Sequence, residues 1–284
     1  MCAVQFNLIG PFQITTDDGR EYAPNAPKIC QMLALLALQP GEAAATDSLI
    51  LELWGGNPPR SALRTLQTHV YHARKMLMDE RAVAPGRNLL ATRAPGYAIQ
   101  LREDEVDVSV FERHVREAQA DFTDGGLERA SEKLKRALAL WRGPVLSNVP
   151  VGCVLAGRIA RVEELRIRAL ELRIETESRL GRRRELLPDL RTLVNEYPLH
   201  EWFHGQLIAT LHQAGRRGEA LQAYQNLHRI LNDELGLEPS DDLQRLQSEI
   251  LHAAAGEDPL PLRRRDDRMT RSAVAPLWAT AVAS

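Results

Sequence analysis

The sequence predicts a mainly α protein in two parts. An N-terminal winged helix-turn-helix with small β-sheets is followed by an all-α, tetratricopeptide-like array of helix pairs. Three observations carry this reading. Apolar residues alternate in short runs up to about residue 102 and afterwards recur only with helical period. Aromatic residues make up only 5% of the 284 residues while Ala and Leu are plentiful, which favours helix. Gly and Pro fall between the periodic stretches, where they end them.

Val4, Phe6 and Leu8 alternate with polar or small neighbours, as in a strand. Gly10-Pro11 breaks the run, Phe12 and Ile14 restart it, and Asp17-Asp18-Gly19 closes it as a turn. A first helix begins near Pro27, a favourable first-turn residue, and carries Ile29, Met32, Leu33, Leu36 and Ala37 on one face until Pro40-Gly41. Thr46 or Asp47 can cap a second helix with Leu49, Ile50, Leu53 and Trp54 as its apolar face. Gly55-Gly56-Asn57-Pro58-Pro59 is a turn, a third helix covers about 61–77, and a hairpin covers 89–101 with its bend at Ala94-Pro95-Gly96. From Asp107 onward Val108, Phe111, Val115 and Ala118 share a helical face. Further helices follow at roughly 125–141, 154–180, 183–196, 199–214, 217–235 and 239–253. Ala220-Leu221-x-x-Tyr224 fits a loosely kept tetratricopeptide pattern, and arrays of helix pairs usually make binding surfaces. Residues 254–284 hold Arg263, Arg264, Arg265, Arg268 and Arg271 without periodicity and read as a flexible basic tail.

Bulk composition excludes some classes. With 44% hydrophobic and 26% charged residues the chain is an ordinary globular one. Cys2, Cys30 and Cys153 are widely spaced and read as reduced thiols of a cytoplasmic protein. No secretory signal or membrane span is expected.

The net charge of −2 conceals a local field. Residues 60–102 hold eight cations (Arg60, Arg64, Arg74, Lys75, Arg81, Arg87, Arg93, Arg102) against Asp79 and Glu80, a surplus of six. Residues 1–59 hold two cations, Arg20 and Lys28, against six anions. The surplus thus coincides with one helix and one hairpin, as a groove-inserted helix with a flanking wing requires. At about 100° per residue, Leu63, Leu66, Val70, Ala73 and Leu77 form an apolar stripe. Ser61, Arg64, Thr65, Thr68, His72 and Lys75 fall opposite, with Tyr71 and Arg74 on one flank and His69 on the other. Arg can fork onto guanine, and a Thr methyl can meet the thymine methyl. In the wing, Thr92-Arg93-Ala94-Pro95-Gly96-Tyr97, Gly96 tolerates a bend with positive φ, and Arg93 at the tip would be placed to enter a minor groove.

An N-terminal strand group, three helices and a wing ending in Gly96-Tyr97 are similar to the effector domain of OmpR/PhoB-type response regulators. Phe6-Asn7-Leu8-Ile9-Gly10-Pro11, Leu53-Trp54-Gly55-Gly56-x-Pro58-Pro59 and Leu66-Gln67-Thr68-x-Val70 resemble the Streptomyces antibiotic regulatory proteins. So do Ala137-Leu138-x-Leu140-Trp141-Arg142-Gly143-Pro144, Ala214-Gly215-Arg216-x-x-Glu219-Ala220-Leu221 and Leu231-x-x-Glu234-Leu235-Gly236-Leu237-Glu238-Pro239, in that family's bacterial transcriptional activation domain. The resemblance covers about residues 4–253. It implies a winged helix DNA-binding domain at 1–102, an activation domain at 107–253 and the tail at 254–284. The G-x-x-x-x-G-K-[ST] loop of the family's large ATPase members is missing, which points to a small stand-alone member.

The function implied is transcriptional activation, with no enzymatic activity and no cofactor. Promoter double-stranded DNA carrying direct repeats near the −35 element is one implied partner. RNA polymerase holoenzyme, contacted through sigma region 4 and other subunits, is the second. Two protomers would lie side by side on the DNA, at the nucleoid in the cytoplasm, to switch on a biosynthetic gene cluster for an antibiotic or other secondary metabolite. The implied DNA-binding residues are Arg60, Arg64, Thr65, Thr68, His69, Tyr71, His72, Arg74, Lys75 and Arg93.

Two other readings compete. One is a tetratricopeptide-type adaptor for protein partners. The other is a zinc-dependent hydrolase, because His200-Glu201-Trp202-Phe203-His204 is an H-E-x-x-H string. On a helix opened by Pro198, His200 and His204 would stand one turn apart beside a stripe of Leu199, Phe203, Leu207 and Leu211. A third ligand is not singled out by any spacing, so a helix-packing role is preferred and no metal is expected.

Overall fold

The computed structural model describes residues 4–16, 18–79 and 87–252. The expected basic tail at 254–284 and Arg81 lie outside the described residues. Two compact units are present, one ending at Leu186 and the other beginning at Leu187.

The first unit opens with β1 (Gln5–Asn7), β2 (Gln13–Thr15) and β3 (Glu21–Tyr22), an antiparallel sheet with Phe6 opposite Ile14. The alternation reaches its purpose here, since Val4, Phe6, Leu8, Phe12 and Ile14 are all buried. α1 (Pro27–Ala37) has Pro in its first turn, as expected. Its apolar stripe is wider than expected: every residue from Ile29 to Ala37 is buried, so it is a central helix rather than a surface one. Next come β4 (Ala44–Ala45), α2 (Thr46–Trp54), α3 (Ala62–Asp79), β5 (Leu90–Arg93) and β6 (Gly96–Ile99). The second sheet has the order β4-β6-β5, with Ala44 opposite Tyr97 and Thr92 opposite Tyr97 on the other side.

The same unit continues through α4 (Asp107–Thr123), α5 (Leu127–Leu138) and α6 (Cys153–Arg179). Compactness therefore divides the chain inside the helical stretch, not at the change of texture near residues 102–107. Three buried carboxylates explain why. Asp107, the first residue of α4, accepts hydrogen bonds from the Leu8 and Ile9 amides at 2.8 Å, which fastens α4 to the end of β1. Glu52 of α2 accepts from the amides of Gly152 (2.6 Å), Val154 (2.9 Å) and Leu155 (2.9 Å). These are orphan donors of the first turn of α6, which Glu52 caps across 100 residues of sequence. The Gln31 amide donates to the Glu52 side chain at 2.8 Å and to its carbonyl at 2.9 Å. A Cβ on Gly152 would stand 2.5 Å from the Glu52 carbonyl oxygen, so only glycine lets the two backbones approach.

Glu105 is the third. Its fully buried side chain accepts from both terminal nitrogens of Arg87, at 2.6 and 2.5 Å, and from the Arg102 amide at 2.8 Å. Burial alone would raise its pKa, but the Arg87 and Arg102 bonds outweigh burial and hold it below the ordinary 4.5. A depressed carboxylate stabilises the fold above its unfolded value, and that contribution fades as pH falls through the folded value. Glu105→Gln is accordingly expected to melt well below the native chain at pH 7. The gap should close as pH drops below about 4, measured as melting temperature against pH.

The second unit is two helix pairs, α7 (Leu187–Glu196) with α8 (Glu201–Gln213) and α9 (Arg217–Leu235) with α10 (Asp241–His252). Phe203, Ile208, Leu211, Ala220, Tyr224, Leu227, Leu231 and Ile250 form its core. Among the described residues no helix is long and apolar enough to cross a membrane.

The H-E-x-x-H string does not form the expected geometry. α8 begins at Glu201, and His200 is its N-cap residue with φ −88° and ψ 87°, so the two histidines do not both stand on helical backbone. His200 stacks on Phe203 at 4.2 Å between ring centres. His204 is buried, with Nε2 3.0 Å from the Pro198 carbonyl oxygen, and burial lowers its pKa. Leu199, expected in the apolar stripe, is exposed because it precedes the helix. The Glu201 carboxylate accepts from the Ser240 amide at 2.7 Å, joining the two helix pairs. Among the described residues no group of three or more His, Cys, Asp or Glu side chains could hold a metal ion.

Candidate nucleic-acid interface

α3 is held by an apolar stripe of Ala62, Leu66, Val70, Ala73 and Leu77, all buried. Leu63 was expected in this stripe but is 52% exposed, and Ala62 takes its place. The reason is phase: residue 62 lies four before Leu66, on the buried row, whereas residue 63 leads onto the row of Gln67 and Tyr71.

On the opposite face Arg64, Gln67, Thr68, Tyr71, His72 and Lys75 are exposed, and Arg60 precedes the helix, also exposed. The side chains of Arg60, Arg64 and Lys75 have no ion-pair or hydrogen-bond partner among the described residues. Tyr71 is 62% exposed and meets the His72 ring edge-on at 5.4 Å. The Thr65 and Thr68 hydroxyls donate to the Ser61 and Arg64 carbonyls, each at 3.1 Å. With their protons engaged in the helix, both threonines present a methyl and an acceptor outward.

Three of the expected DNA-binding residues have structural partners. Arg74 donates from Nε to the Leu90 carbonyl (2.8 Å) and from Nη2 to the Thr92 hydroxyl (2.9 Å), tying α3 to the wing. Arg93 donates to the Gly41 carbonyl at 3.0 Å, so its side chain lies along the loop before β4. Both keep their charge and further donors. His69 is half-buried and stacks on Trp54 at 6.2 Å, while Lys28 lies 4.9 Å from the centre of the same Trp54 ring. Burial first, and then the Lys28 and His72 charges, lower the His69 pKa. The helix flank carrying His69 thus packs on α2.

The wing bends at Ala94-Pro95, as expected, through a cis peptide bond. The tolerance of Gly96 for a positive φ is not used, since its φ is not positive. Glycine is required there for another reason. A Cβ on Gly96 would lie 2.1 Å from the Ala44 carbonyl oxygen, so pairing with β4 leaves no room for a side chain. The Thr46 amide and hydroxyl both donate to the Pro95 carbonyl, at 3.3 and 3.2 Å. The start of α2 thereby fixes the wing tip.

The positive field is narrower than the sequence count. Arg87 and Arg102 are neutralised by Glu105 and Asp104. Unpaired charge remains on Arg60, Arg64 and Lys75, with Arg74 and Arg93 beside the wing. Sequence reasoning passed over Gln67, although its helical phase places it among the outward residues. It also passed over Glu52, which reads as one more charge on α2.

The comparisons with known proteins fall on the same two parts of the chain. Residues 106–251 match the family model described as bacterial transcriptional activator domain. Residues 21–99 match that described as transcriptional regulatory protein, C terminal. The chain is 39% identical over 258 residues to the regulatory protein DnrI of Streptomyces peucetius, covering 90% of this chain and 94% of DnrI. It is 35% identical over 248 residues to the transcriptional regulator RedD of Streptomyces coelicolor, covering 87% and 70% respectively. Among solved structures it is similar to Mycobacterium tuberculosis EmbR in complex with a low affinity phosphopeptide. That match has a TM-score of 0.80 and 31% identity, and it covers 89% of this chain but only 66% of the EmbR chain.

Proposed function

Because the chain belongs to the Streptomyces antibiotic regulatory protein family of transcriptional activators, we propose that it binds direct repeats near the −35 element of its target promoters and recruits RNA polymerase there. Residues 1–102 bind DNA, and residues 107–253 contact the polymerase holoenzyme, with sigma region 4 among the surfaces met. The targets are promoters of a biosynthetic gene cluster for a secondary metabolite, and the protein works at the nucleoid in the cytoplasm. Two protomers sit side by side on the DNA, roughly one helical turn (10–11 bp) apart.

The observation that supports this best is the unpaired cationic face of α3 set beside a wing fixed from two sides. Arg64, Thr68, Tyr71, His72 and Lys75 enter the major groove, and Arg60 meets a flanking phosphate. Thr65 lies at the edge of that face. Arg74 and Arg93 hold the wing and turn their remaining donors to the DNA backbone. His69 acts one step back, through Trp54.

A gel-shift titration of the full chain against salt tests the reading. The logarithm of affinity should fall linearly with the logarithm of salt concentration. Failure to shift any promoter fragment at any salt would put the protein-adaptor reading ahead.

A further inference from the structure

We propose that Gln67 is a specificity-determining residue that reads an adenine in each repeat, an inference that rests on the DNA-binding role of α3. Gln67 is exposed on the outward face, one residue from Thr68 and one turn from both Arg64 and Tyr71. Its amide has no hydrogen-bond partner among the described residues.

The other outward side chains that can tell bases apart suit guanine or thymine rather than adenine. Lys75 is a point charge that suits phosphates as well as bases, and Arg60 precedes the helix, where a flanking phosphate is its target. Thr68 has its hydroxyl proton engaged by the Arg64 carbonyl, which leaves a methyl for thymine. The Arg64 fork suits guanine. Among the outward side chains of α3, Gln67 alone carries a carboxamide, with a donor and an acceptor side by side on one planar group. That pair matches the adenine edge in the major groove, with N7 accepting from the amide nitrogen and the N6 amino group donating to the amide oxygen.

The matching position in α3 also explains why the side chain can serve this purpose. Its backbone is anchored by the buried neighbours Leu66 and Val70, while the side chain is exposed. Replacing it therefore removes no internal side-chain hydrogen bond among the described residues.

Selection from randomised duplex DNA with the full-length native chain, Gln67→Ala and Gln67→Glu tests the proposal. The native chain should enrich adenine at one fixed position of each repeat. Gln67→Ala should lose that preference by roughly ten- to hundredfold at that position alone. Gln67→Glu should enrich cytosine there, because a carboxylate can only accept, and cytosine N4 donates. Unchanged base preference in both variants would overturn the proposal. So would a uniform fall in affinity without any change in sequence, which marks a phosphate contact. If the native chain itself enriches no sequence, the role of α3 in sequence-specific binding fails first.

Discussion

Glu52→Ala is expected to lower the melting temperature of the chain by roughly 10 °C, from a loss of about 3–4 kcal/mol. The side chain is 2% exposed and accepts three backbone N–H bonds at the first turn of α6 as well as the Gln31 amide. Removing it leaves those donors buried and unpaired, which is dearer than losing an ordinary surface contact. Glu52→Gln keeps the shape but replaces one acceptor with a donor facing other donors, so it should recover only part of the loss. Thermal melts by circular dichroism at neutral pH measure both. A change within about 0.5 kcal/mol in Glu52→Ala would show that α6 is held by its apolar packing alone. Because Glu52 and Asp107 both fasten the winged part to later helices, a chain cut at residue 102 should lose its cooperative melt.

The second large effect lies on the DNA. Arg64→Ala combined with Lys75→Ala should weaken promoter binding by at least a hundredfold at physiological salt, while melting temperature and helix content stay level. Both side chains are unpaired among the described residues, so their removal disturbs no internal bond. Each lost phosphate contact also removes about 0.9 from the slope of log affinity against log salt. Arg74→Ala differs in kind. Its two bonds to the Leu90 carbonyl and the Thr92 hydroxyl set the wing on α3, so that variant should lose stability together with affinity. Comparing salt slopes and melts of the two variants separates a contact residue from a positioning one.

These differences mark what periodicity and charge counting can see. The apolar rows at Phe6, Ile14, Leu66, Val70, Phe111 and Val115 were legible because a buried row repeats with the period of its element. The hairpin bend at Ala94-Pro95 was legible because two turn-forming residues stand together. Partners distant in sequence were not. Nothing near Glu52 announces Gly152, and nothing near Arg87 announces Glu105. Arg87 and Arg102 entered the positive surplus although Glu105, just beyond the counted stretch, neutralises them. His69 counted as a flank residue because helical phase does not reveal that Trp54 closes that side. Gly96 was recognised as special, but its reason is the close approach of Ala44 rather than a left-handed turn. The H-E-x-x-H string shows the reverse error: five residues in the right order do not fix where the helix starts, and here it starts at Glu201, leaving His200 as the cap stacked on Phe203 and His204 bonded to the Pro198 carbonyl.

Footprinting of the full chain on the promoters beside its own gene asks whether α3 and its wing carry the chain to promoter repeats, as proposed. A protected stretch over a −35 element is expected, containing two direct repeats roughly one helical turn apart, that disappears with Arg64→Ala and Lys75→Ala. Protection that persists unchanged in that double variant, or no protection on any of these promoters at low salt, would contradict it.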